Sequence, residues 1–179
     1  STSIRSRSWP MAASLVWSCR AARPSKEDAV FSTQPRRAKT AVVKIESIDK
    51  KSFLVLRLEE RGDDRLPSRR LAIESQLGDF SGRYDQVWVE QAQLERFIAE
   101  AKELERTRRG GATLQAMSPD EFLLHIKVID AAGHVAVTVQ LRRHGYVGQE
   151  HQRFGLEGGF ELEPSTLPTF VRELSALAM

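Results

Sequence analysis

Alternating apolar and polar residues predict that most of this chain forms short β-strands. The clearest alternation runs through residues 121–130 and 134–141, and the tight connection at residues 131–133 predicts that these two strands form a hairpin. Two glycines, Gly158 and Gly159, interrupt a later strand and indicate a β-bulge. Weaker patterns of the same kind predict further strands at residues 42–45, 52–60, 70–76, 84–90, 112–117 and 154–163.

Two segments instead carry apolar residues at helical spacing, which places those residues on one side of a helix. The first stripe consists of Leu94, Phe97, Ile98, Ala101 and Leu104. The second consists of Leu167, Phe170, Val171, Leu174 and Leu177. We expect the first helix to end at Gly110 and Gly111. Strands, helix, strands and helix in this order predict an α+β fold, with a mainly antiparallel β-sheet and two helices packed on one face.

The segment between the last two predicted strands is polar and holds the best candidate recognition surface. Residues 142–152 are interpreted as a loop, and loops on a rigid scaffold often carry function. Tyr and Arg are enriched among residues that dominate binding energy. The predicted partner-binding residues are Arg142, Arg143, His144, Tyr146, Glu150, His151 and Arg153. A merely solvated hairpin loop is the competing interpretation, and the acidic residues 59–64 are a second candidate surface.

Charge divides the chain into a tail and a body. Residues 1–40 hold eight Lys and Arg against two acids, and the rest of the chain then holds nineteen basic and twenty-two acidic residues. We interpret residues 41–179 as a single domain whose faintly acidic charge gives no reason to expect nucleic acid. Four interpretations of residues 1–40 stay open: a disordered or non-native extension, an organelle transit peptide, a secretory or lipoprotein signal, and a nucleic-acid arm.

Composition and motifs favour a protein without catalytic chemistry. The chain has no apolar run near the roughly 18 residues of a membrane span, and the single Cys19 permits a reducing, cytoplasmic location. No phosphate-binding loop, nucleophile elbow or metal-binding motif is present, so we expect no enzyme activity, cofactor or metal. The four histidines are therefore interpreted as surface or hydrogen-bonded residues: His125, His134, His144 and His151.

Several segments, in the same order, resemble one bacterial protein family. Residues 78–84 (GDFSGRY) resemble its turn-to-strand segment, residues 94–104 its central helix, and residues 133–139 (GHVAVTV) a later strand. Residues 160–174 resemble its C-terminal ending. The family is that of the WapI-like immunity proteins, and the resemblance covers roughly residues 42–177.

This resemblance implies a function as well as a fold. WapI-like immunity proteins are encoded beside polymorphic contact-dependent toxins and neutralise their cognate toxin by binding it. We therefore expect a protein-binding module with a protein toxin as partner, acting by occlusion. The alternative is a structural or scaffold domain of a larger assembly, in which an exposed strand edge pairs with another chain.

Overall fold

The computed structural model describes residues 41–63 and 65–178 of the chain. Their first part forms a four-stranded antiparallel sheet in which neighbours along the chain are neighbours in space. Its strands are β1 (Val42–Glu46), β2 (Phe53–Arg61), β3 (Ser68–Leu77) and β4 (Phe80–Glu90). Residues 1–40, on which four interpretations were left open, lie outside the described residues, and so does Cys19.

A second four-stranded antiparallel sheet follows helix α1 (Gln91–Thr107). Its strands are β5 (Gly111–Gln115), β6 (Phe122–Val128), β7 (Val135–Val147) and β8 (Glu150–Leu162). A 3₁₀ turn at Pro164–Thr166 then leads into helix α2 (Leu167–Ala178). These elements confirm the predicted α+β class, and they add that the strands form two sheets, with four strands before α1 and four after it.

Backbone hydrogen bonds connect the two sheets near both of their edges. After β1, the N–H of Ile48 donates to the carbonyl of Glu161 on β8 at 3.1 Å. After β5, the N–H of Met117 donates to the carbonyl of Trp88 on β4 at 2.7 Å. The buried residues of both sheets and both helices accordingly belong to one continuous hydrophobic core.

Both helices bury the apolar stripes that predicted them. All five stripe residues of α1 and all five of α2 are buried. The rings of Phe97 on α1 and Phe170 on α2 meet edge to face, with centroids 6.4 Å apart and planes at 78°. Helix α1 ends earlier than expected, because Arg108 takes the left-handed conformation and its N–H donates to the carbonyl of Leu104 at 2.9 Å. No helix among the described residues is long and apolar enough to cross a membrane.

The prediction that residues 142–152 form a loop is wrong. The antiparallel pairing of β7 with β8 continues without interruption from Val135 opposite Leu162 to Val147 opposite Glu150. The turn itself is confined to Gly148 and Gln149, and Gly148 adopts a positive φ of 63°. Polar residues dominate this segment because both of its faces meet solvent, so polarity indicated exposure and not the absence of a strand.

The predicted bulge at Gly158 and Gly159 is also wrong. Both residues keep the regular register of β8 against β7. A Cβ atom at Gly159 would lie 2.6 Å from the carbonyl oxygen of Val137, and one at Gly158 would lie 3.1 Å from Leu77 Cδ1. The glycines therefore mark close approach of neighbouring strands and sheets, which is the other recognised use of glycine in a strand.

Candidate protein-binding surface

The far end of the β7–β8 pair extends past the rest of the second sheet as a two-stranded ribbon. Strand β6 pairs with β7 only from Val135 to Leu141. The last backbone bond on that side joins the N–H of Arg142 to the carbonyl of Glu121 at 2.7 Å. We call residues 142–155 the ribbon; beyond Arg142, its only β-ladder among the described residues is between its own two strands.

Strand alternation divides the predicted binding residues between the two faces of the ribbon. The face that continues the buried side of the second sheet is the inner face, and the opposite one is the outer face. The inner face carries Arg143 and Glu150. The outer face carries Arg142, His144, Tyr146, His151 and Arg153. The structure thus brings all seven residues onto one element, but as two separate sets.

Three rings on the outer face form a connected group near the tip. His144 Nδ1 lies 3.2 Å from His151 Nε2, and the two ring centroids are 5.1 Å apart. The Tyr146 ring meets His151 edge-on at 5.6 Å, and the side chain of Tyr146 is 75% exposed. Such a group presents stacking surface and hydrogen-bonding atoms to a partner at small cost in side-chain entropy, because the rings already contact one another.

Arg142 anchors the base of the outer face instead of pointing freely into solvent. Its guanidinium donates to a carboxylate oxygen of Glu157 at 2.5 Å and lies 4.0 Å from Asp120. Arg153, nearer the tip, has no ion pair with any residue that the structure describes. Arg153 is therefore the outer-face cation that a partner carboxylate would meet.

The inner face of the ribbon contributes to a groove that sequence analysis missed. The guanidinium of Arg143 lies over the ring of Tyr84 on β4, 5.9 Å from its centroid. Phe80 at the start of β4 and Phe154 on β8 line the same groove, which has a volume of about 290 Å³. Sequence analysis predicted a strand at Phe154 and assigned Phe80 to no strand. Large aromatic residues beside glycines in polar segments were the signal that could have identified both.

The second candidate surface, the acidic residues 59–64, is occupied with local contacts. Glu60 accepts hydrogen bonds from Arg70 at 3.0 Å, and Asp63 accepts the N–H groups of Arg65 and Leu66 at 3.0 and 2.9 Å. Glu60 and Asp63 also line a cavity of about 680 Å³. Their carboxylates stabilise the end of β2 and its turn, while Asp64 lies outside the described residues.

The remaining histidines have local partners. His125 Nδ1 lies 2.9 Å from the hydroxyl of Thr113, and His134 Nδ1 lies 2.5 Å from the carboxylate of Asp130. The hydrogen bond and charge of Asp130 raise the pKa of His134, and the same contact lowers the pKa of Asp130. Within residues 41–63 and 65–178, no group of three or more His, Cys, Asp and Glu is arranged to hold a metal ion.

Two sheets around one core and an exposed ribbon define a small α+β protein that presents aromatic and cationic side chains on a preformed element. A sequence model of the immunity protein WapI-like family matches residues 44–178. The chain therefore belongs to the WapI-like immunity protein family, and the resemblance seen in the sequence is confirmed. This membership indicates an immunity role with a toxin partner in general terms. No curated protein and no solved structure matches the chain.

Proposed function

We propose that this chain neutralises a cognate bacterial toxin by binding it and covering its active site or substrate groove. The observation that carries the proposal is the family match over residues 44–178. Occlusion requires a folded surface and no chemistry, so the proposal includes neither enzyme activity nor a cofactor. It places the protein in the cytoplasm, where a toxin delivered into the cell would be met.

The ribbon supports this proposal because it is preformed. Its two strands are fully paired with each other, so little backbone entropy is lost when a partner binds. The Arg142–Glu157 ion pair and the bond from the Arg142 N–H to Glu121 hold its base. Complexes between preorganised surfaces usually form with small backbone changes, which suits a protein that must capture a toxin quickly.

The side chains of the outer face are of the kinds that dominate binding energy. Tyr146 and Arg153 belong to residue types enriched in hot spots, and His144 and His151 supply further ring surface. Exposed arginines also raise the rate of encounter with an acidic partner. We propose that this outer face contributes directly to the contact with the toxin.

Co-expression with the toxin domain encoded beside this gene tests the function. The full chain should restore growth of cells that make the active toxin, and should form a one-to-one complex with a catalytically inactivated toxin domain. Failure of both would refute the proposal. A defined homo-oligomer in light scattering, with no toxin complex, would instead favour the scaffold alternative.

A further inference from the structure

The groove on the inner face of the ribbon lies where the two sheets part. At its inner end the sheets are in close contact, since a Cβ atom at Gly82 would lie 3.5 Å from Leu156 Cβ. Toward solvent the same faces separate, and Phe80 and Phe154 are left 74% and 54% exposed. The apolar interior of the protein thus continues into a surface depression with aromatic walls.

Exposed aromatic residues beside a depression differ from isolated apolar residues on a surface. Register places Phe80, Gly82 and Tyr84 on one face of β4, opposite Leu77, Ser75 and Ile73 of β3. Ser75 and Ile73 are fully buried, so this face is the interior side of the first sheet. Phe80 therefore sits on the interior side of the sheet without interior packing, and apolar surface of this kind marks interaction sites.

Arg143 is the arginine on the inner face of the ribbon. Arg83 lies between Gly82 and Tyr84 and therefore belongs to the opposite face of β4, and Arg142 belongs to the outer face of the ribbon. Arg143 forms no ion pair with any residue in the described part of the chain. Arg143 is held over the Tyr84 ring, so its guanidinium is positioned in advance for a carboxylate. The groove combines aromatic walls with one available cation, Arg143.

We propose that this groove binds a segment of the partner toxin in which a large apolar side chain is flanked by Asp or Glu. The assignment rests on the proposed immunity function and specifies where and how the toxin is held. The apolar side chain would fill the space between Phe80 and Phe154, and a neighbouring acid would pair with Arg143. Aromatic and arginine surfaces also bind single-stranded nucleic acid, but the acidic excess of residues 41–179 favours a protein partner.

Aromatic substitutions in the full chain test the apolar part of this site. Phe80→Ser and Phe154→Ser remove exposed rings, so both variants should keep the wild-type melting temperature. Each should weaken binding of the inactivated toxin domain at least about tenfold, the size expected of a hot-spot residue. Ile129→Ser is the matched control, because Ile129 is 50% exposed but lies at the β6–β7 turn, away from the groove.

Charge substitutions test the acidic part. Arg143→Glu should weaken toxin binding and reduce its dependence on salt, whereas Arg143→Lys, which keeps the charge, should retain more of the affinity. Arg96→Glu makes the same change of charge on the exposed side of α1 and should leave affinity nearly unchanged. Equal losses in Arg143→Glu and Arg96→Glu would contradict a local contact, since only overall charge would then matter.

The outcomes separate this inference from the immunity function. If wild-type protein rescues growth and binds toxin, while both Phe variants do so equally well, the groove assignment is overturned and the immunity function stands. If wild-type protein neither rescues nor binds, both are overturned. Tight binding of a fluorescent oligouridine that is lost in Phe80→Ser would overturn the assignment of a protein segment.

Discussion

Gly159 on β8 lies so close to β7 that no larger residue fits at this position without a shift: a Cβ atom there would lie 2.6 Å from the carbonyl oxygen of Val137. The neighbouring Gly158 faces the other sheet, where a Cβ would meet the flexible end of Leu77 at 3.1 Å. The two adjacent glycines therefore have different tolerance for a methyl group. A methyl group at Gly159 would conflict with the backbone of β7, whereas one at Gly158 would contact a side chain that can move.

Gly159→Ala should consequently destabilise the protein, by about 1–3 kcal/mol, because overpacking against backbone forces the strands apart. Gly158→Ala is the matched control and should change stability by less, since reduced freedom of the unfolded chain offsets the contact with Leu77. Urea unfolding of both variants measures the difference. Equal free energies of unfolding would show that β7 and β8 adjust more easily than their spacing indicates.

Phe97 and Phe80 provide a second contrast, between a buried and an exposed ring. Phe97 is fully buried against Phe170, whereas Phe80 is largely exposed. Phe97→Ala should lower the free energy of unfolding by about 3–5 kcal/mol through lost burial and a cavity. Phe80→Ala should lower it by less than about 1 kcal/mol. Thermal and urea unfolding of both variants would measure how much the contact between Phe97 on α1 and Phe170 on α2 stabilises the protein.

Much of the fold was accessible from the sequence because the buried positions follow simple periods. Val135, Val137 and Val139 alternate with small or polar residues, and this period of two identified β7. The same reasoning failed at the ribbon, where neither face is buried along most of its length. Where neither face is buried, apolar and polar residues do not alternate, so the sequence carries no strand pattern. The ribbon strands are instead held by cross-strand pairing that begins between Val135 and Leu162, twenty-seven residues apart in the sequence.

Only the outer-face part of the candidate site could be predicted from the sequence. Arg142, Tyr146 and His151 were predicted as binding residues from residue type and proximity in sequence, and that prediction stays untested. The inner-face groove combines Tyr84 with Arg143, which meet only when two different sheets pack together. A pairing between distant segments leaves no local pattern, so sequence alone could not connect β4 to the ribbon.

The Asp130–His134 contact predicts a defined pH dependence of stability. The pKa of His134 is raised from 6.5, so its contribution is fully present below that pH and is lost as pH rises through the raised pKa. The pKa of Asp130 is lowered from 3.8, so its contribution is present above that pH and is lost as pH falls through the lowered pKa. The pair therefore stabilises most between those two ordinary values.

Melting temperatures measured across acid and neutral pH should show this window. His134→Gln should remove the part of the decline that occurs as pH rises through the neutral range, while changing the melting temperature little above it. Asp130→Asn should remove both the decline at rising pH and the decline at falling pH that this pair causes, since each depends on the Asp130 carboxylate. Both groups are exposed and screened by salt, so added salt should flatten the wild-type profile. A His134→Gln profile that matches wild type at every pH would contradict the assignment.

The outer face of the ribbon gives the last prediction, and it is independent of the groove. Tyr146→Ala and His151→Ala remove the two rings that meet edge to face at 5.6 Å near the tip. If the toxin contacts this face, each should weaken binding about tenfold or more, and Tyr146→Ala should act mainly by speeding dissociation.

Thr138→Ala supplies the control for position along the strand, because Thr138 is exposed on the same face of β7 but lies before the ribbon begins. It should leave the affinity within about twofold of wild type, as expected for residues outside a hot spot. Surface plasmon resonance with the inactivated toxin domain would give both rates. If Tyr146→Ala and Thr138→Ala behave alike while the Phe80 and Phe154 variants lose binding, the toxin contacts the inner face of the ribbon and not the outer-face rings.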